Sequence, residues 1–343
     1  MSNATLFSSL SQRLTDRLRY SLSAPWCARH PAPGKNLGEA DREVKRILVP
    51  LDGTVLAERA IPLALAIAQQ CDAVLQLVHV FVPAETLAPF EMLHCSDTAL
   101  NDKKNRKQAY LLKIARQITA TAPVGVSSTV IQGTDVSSAL EQYYTGSSDL
   151  IVMATHGRGL LGRFWWGSIA HSILQRTTVP LILVPGNRET FDFNPQAIDD
   201  VILPISGNKQ GEKIVEPLLK LGLFPKARHS LLYVTCSEPV VAKGNEKLRD
   251  EEVPSFNREA ADMQLLRPVA RALSKGNRQW QTKAINSRKP VWHAVSEYAN
   301  HHSERSLVAC TYHRPTLLER VIRPTTPEYL LQTTKSPLML MPA

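Results

Sequence analysis

Ser147–Gly186 reads SSDLIVMATHGRGLLGRFWWGSIAHSILQRTTVPLILVPG. An apolar run, Leu150–Met153, stops at Ala154-Thr155-His156-Gly157, and a glycine-punctuated loop follows. Gly167-Ser168 then opens a helical pattern carried by Ile169, Ile173 and Leu174. Pro180 ends it, and Leu181–Val184 begins a second buried run. The order is strand, glycine loop, helix N-terminus, strand. Such a loop suits an anion: glycines let the backbone come close to a phosphate, and free N–H groups at a helix start hold it. Ser168, at or next to the N-cap, adds a hydroxyl.

Two familiar glycine motifs fail here. Gly157-Arg158-Gly159-Leu160-Leu161-Gly162 matches G-x-G-x-x-G. A dinucleotide site also needs an acidic residue about 20 positions on, where the chain has only Ile182–Pro185. The P-loop pattern G-x-x-x-x-G-K-[ST] occurs nowhere in the sequence.

A third pattern fits. The stretch resembles the nucleotide-binding members of the universal stress protein family, which carry G-x2-G-x9-G-[ST] after their fourth strand. Gly157, nine residues and Gly167-Ser168 match it, with Ala154 in place of the first glycine. The resemblance covers Lys45–Pro185 and, more faintly, Asp200 to the C-terminus.

Working outward, the 343 residues suffice for two domains. With 43% hydrophobic and 21% charged residues, the chain reads as a soluble globular protein. No apolar run is long enough to cross a bilayer and no secretory h-region opens the chain, so a cytoplasmic location is expected. The five cysteines are scattered, odd in number and free of C-x-x-C, which suits a reducing compartment. A net charge of +9 favours anionic partners. No nucleic-acid-binding motif accompanies it, which leaves nucleic acid a weak second choice.

Four segments are expected. Residues 1–43 form a basic arm and linker, with Leu6, Leu10, Leu14, Leu18 and Leu22 on one helical stripe among Arg13, Arg17 and Arg19. The stripe suits packing on the protein itself or a partner; a peripheral membrane contact is the sharper reading. A first domain spans 44–188, a linker 189–198 and a second domain 199–343. In the first domain, strands at Arg46–Pro50, Val74–Phe81, Val124–Gln132 and Leu150–Met153 alternate with helices after Asp52, over Asn101–Ala120 and from Gly133 to Tyr144. That alternation is an α/β fold, a doubly wound, Rossmann-like parallel sheet covered on both faces.

The resemblance implies five strands per domain, ordered 3-2-1-4-5, in two tandem sheets of the adenine nucleotide hydrolase-like type. Ligands of such sheets bind outside the strand carboxyl ends where the order reverses, here between strands one and four. The loops at that point are Asp52-Gly53-Thr54 and Ala154–Ser168. By resemblance, Asp52 meets the adenosine, the pair His79-Val80 flanks the base, and the glycine loop takes the phosphates. The implied contact set is Pro50, Asp52, Val80, Ala154, His156, Gly157, Arg158, Arg163, Gly167, Ser168 and Ile169. Arg158 and Arg163 can neutralise phosphate charge. The plainer role for Asp52 is a helix N-cap or turn residue. For His79 and His156 it is a buried structural imidazole. Trp165-Trp166 suits a ligand cover or a subunit contact equally.

The second half repeats the first: Asp200–Gly207 parallels Arg46–Gly53, Ser230–Thr235 parallels strand two, and Ala260–Lys275 is expected to be helical. Trp280–Ile285, Leu307–Cys310 and Ser336–Pro342 supply its further strands. The site chemistry is absent there: Ser206 replaces Asp52, Arg314 replaces Gly157, and Pro324-Thr325 replaces Gly167-Ser168. Arg314, Arg320 and Arg323 could hold some other anion. His293, His301, His302, Cys310 and His313 are read as structural rather than as zinc ligands.

The resulting expectation is a tandem universal stress protein that binds ATP, with magnesium, or a related adenine nucleotide in its first domain and acts in stress response through partners. The last strands, Val179–Val184 and Leu338–Met341, are expected to meet as edges, and a homodimer could form beyond the internal pair. The competing expectation is a nucleotide-free scaffold that regulates partners by contact, favoured by Ala154. No placed general base or acid pair points to an enzyme, and Ser168 and Cys310 lack a nucleophile's partners.

Overall fold

The computed structural model describes residues 43–83, 97–155, 168–186, 195–205, 214–236, 278–302, 305–312 and 326–342. The first half contains β1 (Arg46–Pro50), α1 (Val55–Glu58), α2 (Ile61–Cys71), β2 (Val74–Phe81) and α3 (Asp97–Thr121). It continues with β3 (Val126–Gln132), α4 (Val136–Tyr144), β4 (Leu150–Thr155), α5 (Ser168–Arg176) and β5 (Leu181–Pro185). The second half contains β6 (Asp200–Ile205), α6 (Val215–Lys220), β7 (Arg228–Cys236), β8 (Gln279–Ser287), α7 (Val291–His302), β9 (Ser306–Tyr312), α8 (Thr326–Thr333) and β10 (Leu338–Pro342).

All ten strands share one sheet, ordered β3-β2-β1-β4-β5-β10-β9-β6-β7-β8. Each half therefore has the expected 3-2-1-4-5 order, and the pairing is parallel except between β5 and β10. The register repeats as well. Ile47 lies opposite Leu150 across β1–β4, and Val201 opposite Leu307 across β6–β9. Val78 lies opposite Thr129, and Leu232 opposite Lys283. The expected meeting of the last strands is present: Leu338, Met339 and Leu340 pair antiparallel with Leu183, Ile182 and Leu181. Leu181 is to Ile151 as Leu338 is to Val308, so a local two-fold passes between Ile182 and Met339. Left open, either apolar edge would template association with another chain; here each covers the other.

The strand residues point alternately to two layers. Ile47, Val49, Leu75, Leu77, Leu150 and Val152 pack under α2 and α3 on one face. Leu48, Val78, Ile151 and Met153 pack under α4 and α5 on the other. Both layers run on into the second half, with Val201, Leu203 and Leu231 in the first and Ile202, Val308 and Tyr298 in the second. Full burial of one such aliphatic side chain stabilises by about 1.5–3 kcal/mol.

Boundaries differ from the sequence reading for local reasons. The helix after Asp52 is two helices, because Pro62 in the first turn of α2 lacks an N–H and resets the start at Ala60. The helix expected from Asn101 begins at Asp97. The third strand starts at Val126 rather than Val124. β4 runs past Met153, since Ala154 and Thr155 pair with Val184 and Pro185. The expected helix over Ala260–Lys275, the N-terminal arm and most of the linker lie outside the described residues.

Candidate functional site

β1 is fixed against β4 by Asp149, which immediately precedes β4. Its Oδ2 accepts from the backbone N–H of Arg46 at 2.9 Å and of Lys45 at 3.1 Å. Its Oδ1 accepts from the Arg46 guanidinium at 3.1 Å. This clamp sets the N-terminal ends of the two central strands, so their carboxyl ends emerge side by side at the point where strand order reverses.

At the β1 exit, Asp52 is exposed and makes a turn rather than a cap. Its Oδ1 accepts from Thr54 N at 2.8 Å and from Thr54 Oγ1 at 2.6 Å. Thr54 is the N-cap of α1, with Oγ1 accepting from Ala57 N at 3.2 Å. Gly53 takes φ +94°, a conformation that disfavours side chains, so the turn is built around it. Among the described residues Oδ2 of Asp52 has no hydrogen-bond donor. The carboxylate is thus oriented by one oxygen and open at the other.

The β2 exit supplies His79 and Val80. Leu51 N donates to Val78 O at 2.8 Å, which carries the β1–β2 ladder to the edge of the crevice. Val80 is half-buried and packs on the α4/α5 face. His79 is buried, and its Nδ1 has no partner among the described residues. Burial, and next the nearby Lys107 charge, lower its pKa, while a hydrogen bond with the Leu51 backbone and the Asp52 carboxylate pull it back up. His79 is therefore a neutral imidazole at neutral pH and not a charged phosphate partner. Lys107 lies one turn before Leu111 on the stripe that α3 buries. The 3.6-residue spacing carried the signal that this lysine shares the Leu111 stripe, close enough to His79 for its charge to act there, and the sequence reading missed it. Further along α3, Tyr110 Oη donates to Glu58 Oε1 at 2.9 Å, tying α3 to α1, and burial raises its pKa.

At the β4 exit Ala154 is half-buried and Thr155 buried. Pro50, at the end of β1, is half-buried. Ile169, in the first turn of α5, packs against the α4/α5 layer. Ser168 opens α5 as expected. Of the sequence-derived set, Pro50 ends β1, Asp52 follows it, Val80 lies near the end of β2, Ala154 near the end of β4 and Ile169 in the first turn of α5. His156, Gly157, Arg158, Arg163 and Gly167, with Trp165-Trp166, lie outside the described residues. So do Ser206, His313, Arg314, Arg320, Arg323 and Pro324-Thr325 of the second half.

The arrangement can orient a ligand with a polar group at Asp52 and a flat apolar group against Val80. No described acid is aligned with a base and a nucleophile. Cys310, in β9, has its thiol pKa pushed up to about 12 by burial, which removes it as a nucleophile at neutral pH. His293 contacts Glu297 at 3.6 Å and His302 contacts Tyr298 Oη at 3.2 Å. Among the described residues no three His, Cys, Asp or Glu side chains gather as a metal site would require, and no helix there is long and apolar enough to cross a membrane.

The sequence profile of the universal stress protein family matches residues 43–185. A Staphylococcus aureus (strain USA300) sequence assigned to the universal stress proteins is 27% identical over 154 residues, 44% of this chain and 90% of that one. Among solved structures, a universal stress protein from Archaeoglobus fulgidus DSM 4304 superposes with a TM-score of 0.60 at 13% identity, covering 87% of this chain and 98% of the other. A Pseudomonas aeruginosa PAO1 protein of unknown function gives 0.51 at 11% identity, covering 87% and 92%. These likenesses establish a shared fold over both halves.

Proposed function

Residues 43–185 belong to the universal stress protein family, and on that premise we propose that this half binds ATP, with magnesium, or a related adenine nucleotide in the crevice between β1 and β4. The observation that carries the reading is the β1–β4 pairing, with Ile47 opposite Leu150 and Leu48 opposite Ile151. It brings the Asp52 turn, Val80 and the head of the glycine loop to one switch point. Asp52 takes the ribose hydroxyls through its open oxygen and Val80 packs on the base. The loop Ala154–Ser168 supplies backbone N–H groups to the phosphates, helped by Arg158 and Arg163. Lys107 adds cationic charge at the rim. The second half is a degenerate tandem domain that keeps the fold without this chemistry. The output is a nucleotide-dependent interaction in stress adaptation; no described group is placed for hydrolysis.

One observation favours a second reading, a scaffold that regulates partners without nucleotide. Ala154 stands where the family pattern has glycine, and its methyl group narrows the phosphate approach. Calorimetric titration with ATP and magnesium separates the two. Micromolar binding that a Gly167→Trp variant abolishes supports the nucleotide site. No heat of binding to folded wild-type protein overturns it and leaves the scaffold.

A further inference from the structure

The second half holds an open cavity of about 480 Å³ on its surface, between edge strand β8 and helix α7. That volume is in the range of small-molecule sites. It lies away from the carboxyl-end crevice of the first half and shares no residue with it. We infer that this cavity binds a small organic phosphate ester, a dianion with an apolar body.

The charge is arranged for it. Lys283, Arg288 and Lys289 line the cavity along β8 and the turn after it, and His301 and His302 line it from α7. Among the described residues the sole acid in the lining is Glu297, already shared between Lys289 at 3.9 Å and His293 at 3.6 Å. Lys283 and Arg288 have no acidic partner among the described residues. Lys283 Nζ sits 5.4 Å from the ring centroid of Tyr298, which holds the ammonium over an aromatic face without using up its hydrogen-bond donors. Tyr298, Ile285 and Ala294 supply the apolar wall.

A buried carboxylate backs the helix side. Asp200 is fully buried, its Oδ1 accepting from Ser230 Oγ at 2.6 Å and its Oδ2 lying 3.4 Å from Arg228. His302 Nε2 lies 3.6 Å from that Oδ2 and 3.2 Å from Tyr298 Oη, and the two rings stack at 4.5 Å. The imidazole at the cavity wall is thus held in one orientation from beneath.

The equivalent place in the first half is built differently. The common register puts Thr129 where β8 has Lys283. Counting on, Thr134 and Asp135 stand where the second half has Arg288 and Lys289. One fold position has changed from neutral and acidic to triply cationic, in the half whose crevice has lost the family's phosphate-binding residues.

The test is saturation-transfer NMR of the full chain with phenyl phosphate, beside inorganic phosphate and phenylacetate. Phenyl phosphate is expected to bind saturably and more tightly than either. A Lys283→Gln/Arg288→Gln variant, with unchanged melting temperature, is expected to weaken it about tenfold or more, since two charge-assisted contacts are lost. Gly167→Trp leaves it unchanged. Absence of saturable binding, equal affinity for inorganic phosphate, indifference to the double variant, or loss in Gly167→Trp each overturns the assignment.

Discussion

Asp149→Ala tests whether the central strand pair is held as described. The substitution removes the acceptor of two backbone N–H groups, those of Lys45 and Arg46, which donate to the carboxylate at 3.1 and 2.9 Å. It also removes the contact with the Arg46 guanidinium at 3.1 Å. A hydrogen bond to a charged group is worth about 1.5–3 kcal/mol. The Lys45 amide belongs to an exposed residue and finds water, so one full bond and a fraction of another are lost. The ion pair adds at most about 0.5 kcal/mol, because the Arg46 side chain is 42% exposed and solvent screens it. The expected cost is about 3 kcal/mol, a melting-temperature drop of roughly 6–10 °C for a domain of this size. Asp149→Asn, which keeps one acceptor, is expected to lose about half as much. Urea and thermal unfolding followed by circular dichroism measure both. A cost below about 0.5 kcal/mol for the alanine variant would refute the idea that this clamp sets the β1–β4 alignment.

Four further outcomes follow from single sites. His229 is fully buried between Ala227 O at 2.9 Å and Arg278 Nη1 at 2.9 Å, and burial, then the Arg278 charge, lower its pKa to about 4. The unfolded chain therefore takes up its proton first: the stability from neutral His229 is present above about pH 6.5 and is lost as pH falls toward 4. The loss amounts to up to about 3 kcal/mol, read as a falling urea midpoint that flattens in His229→Gln. Gly133→Ala is expected to cost about 1–3 kcal/mol by overpacking, since the new Cβ would lie 2.6 Å from Ala139 Cβ; Gly53→Ala has open space but strains φ +94°, so it should weaken ATP binding more than stability, as calorimetry beside a thermal melt can check. Cys310 is half-buried, and burial pushes its thiol pKa up to about 12; it is expected to react with iodoacetamide at pH 8 far more slowly in the native protein than on unfolding, and equally fast native labelling would contradict this.

Periodicity was enough to find the strands and their alternation with helices, because runs such as Ile47–Val49 and Leu181–Val184 are buried on both faces. It was less able to end them. Ala154 and Thr155 look like loop residues beside His156-Gly157, yet Thr155 is buried by its pairing with Pro185 on β5. The Asp52 turn was legible from Asp-Gly-Thr, although the capping residue proved to be Thr54. What the sequence concealed were partnerships between distant segments. Asp149 lies 103 positions from Arg46, and nothing local marks it as the anchor of β1. Lys283 and His302 come together only when β8 and α7 pack, so the basic cavity has no motif. Tertiary geometry makes such sites, and composition registers them only as excess positive charge.

Hydrogen–deuterium exchange of the full chain with and without ATP and magnesium tests the proposed nucleotide crevice most directly. Protection is expected in peptides spanning Leu51–Thr54, His79–Val82 and Ala154–Ile169, with none at β6 and β9. Protection confined to the second half, or no change anywhere at saturating ATP, would contradict the assignment of the β1–β4 switch point as the nucleotide site.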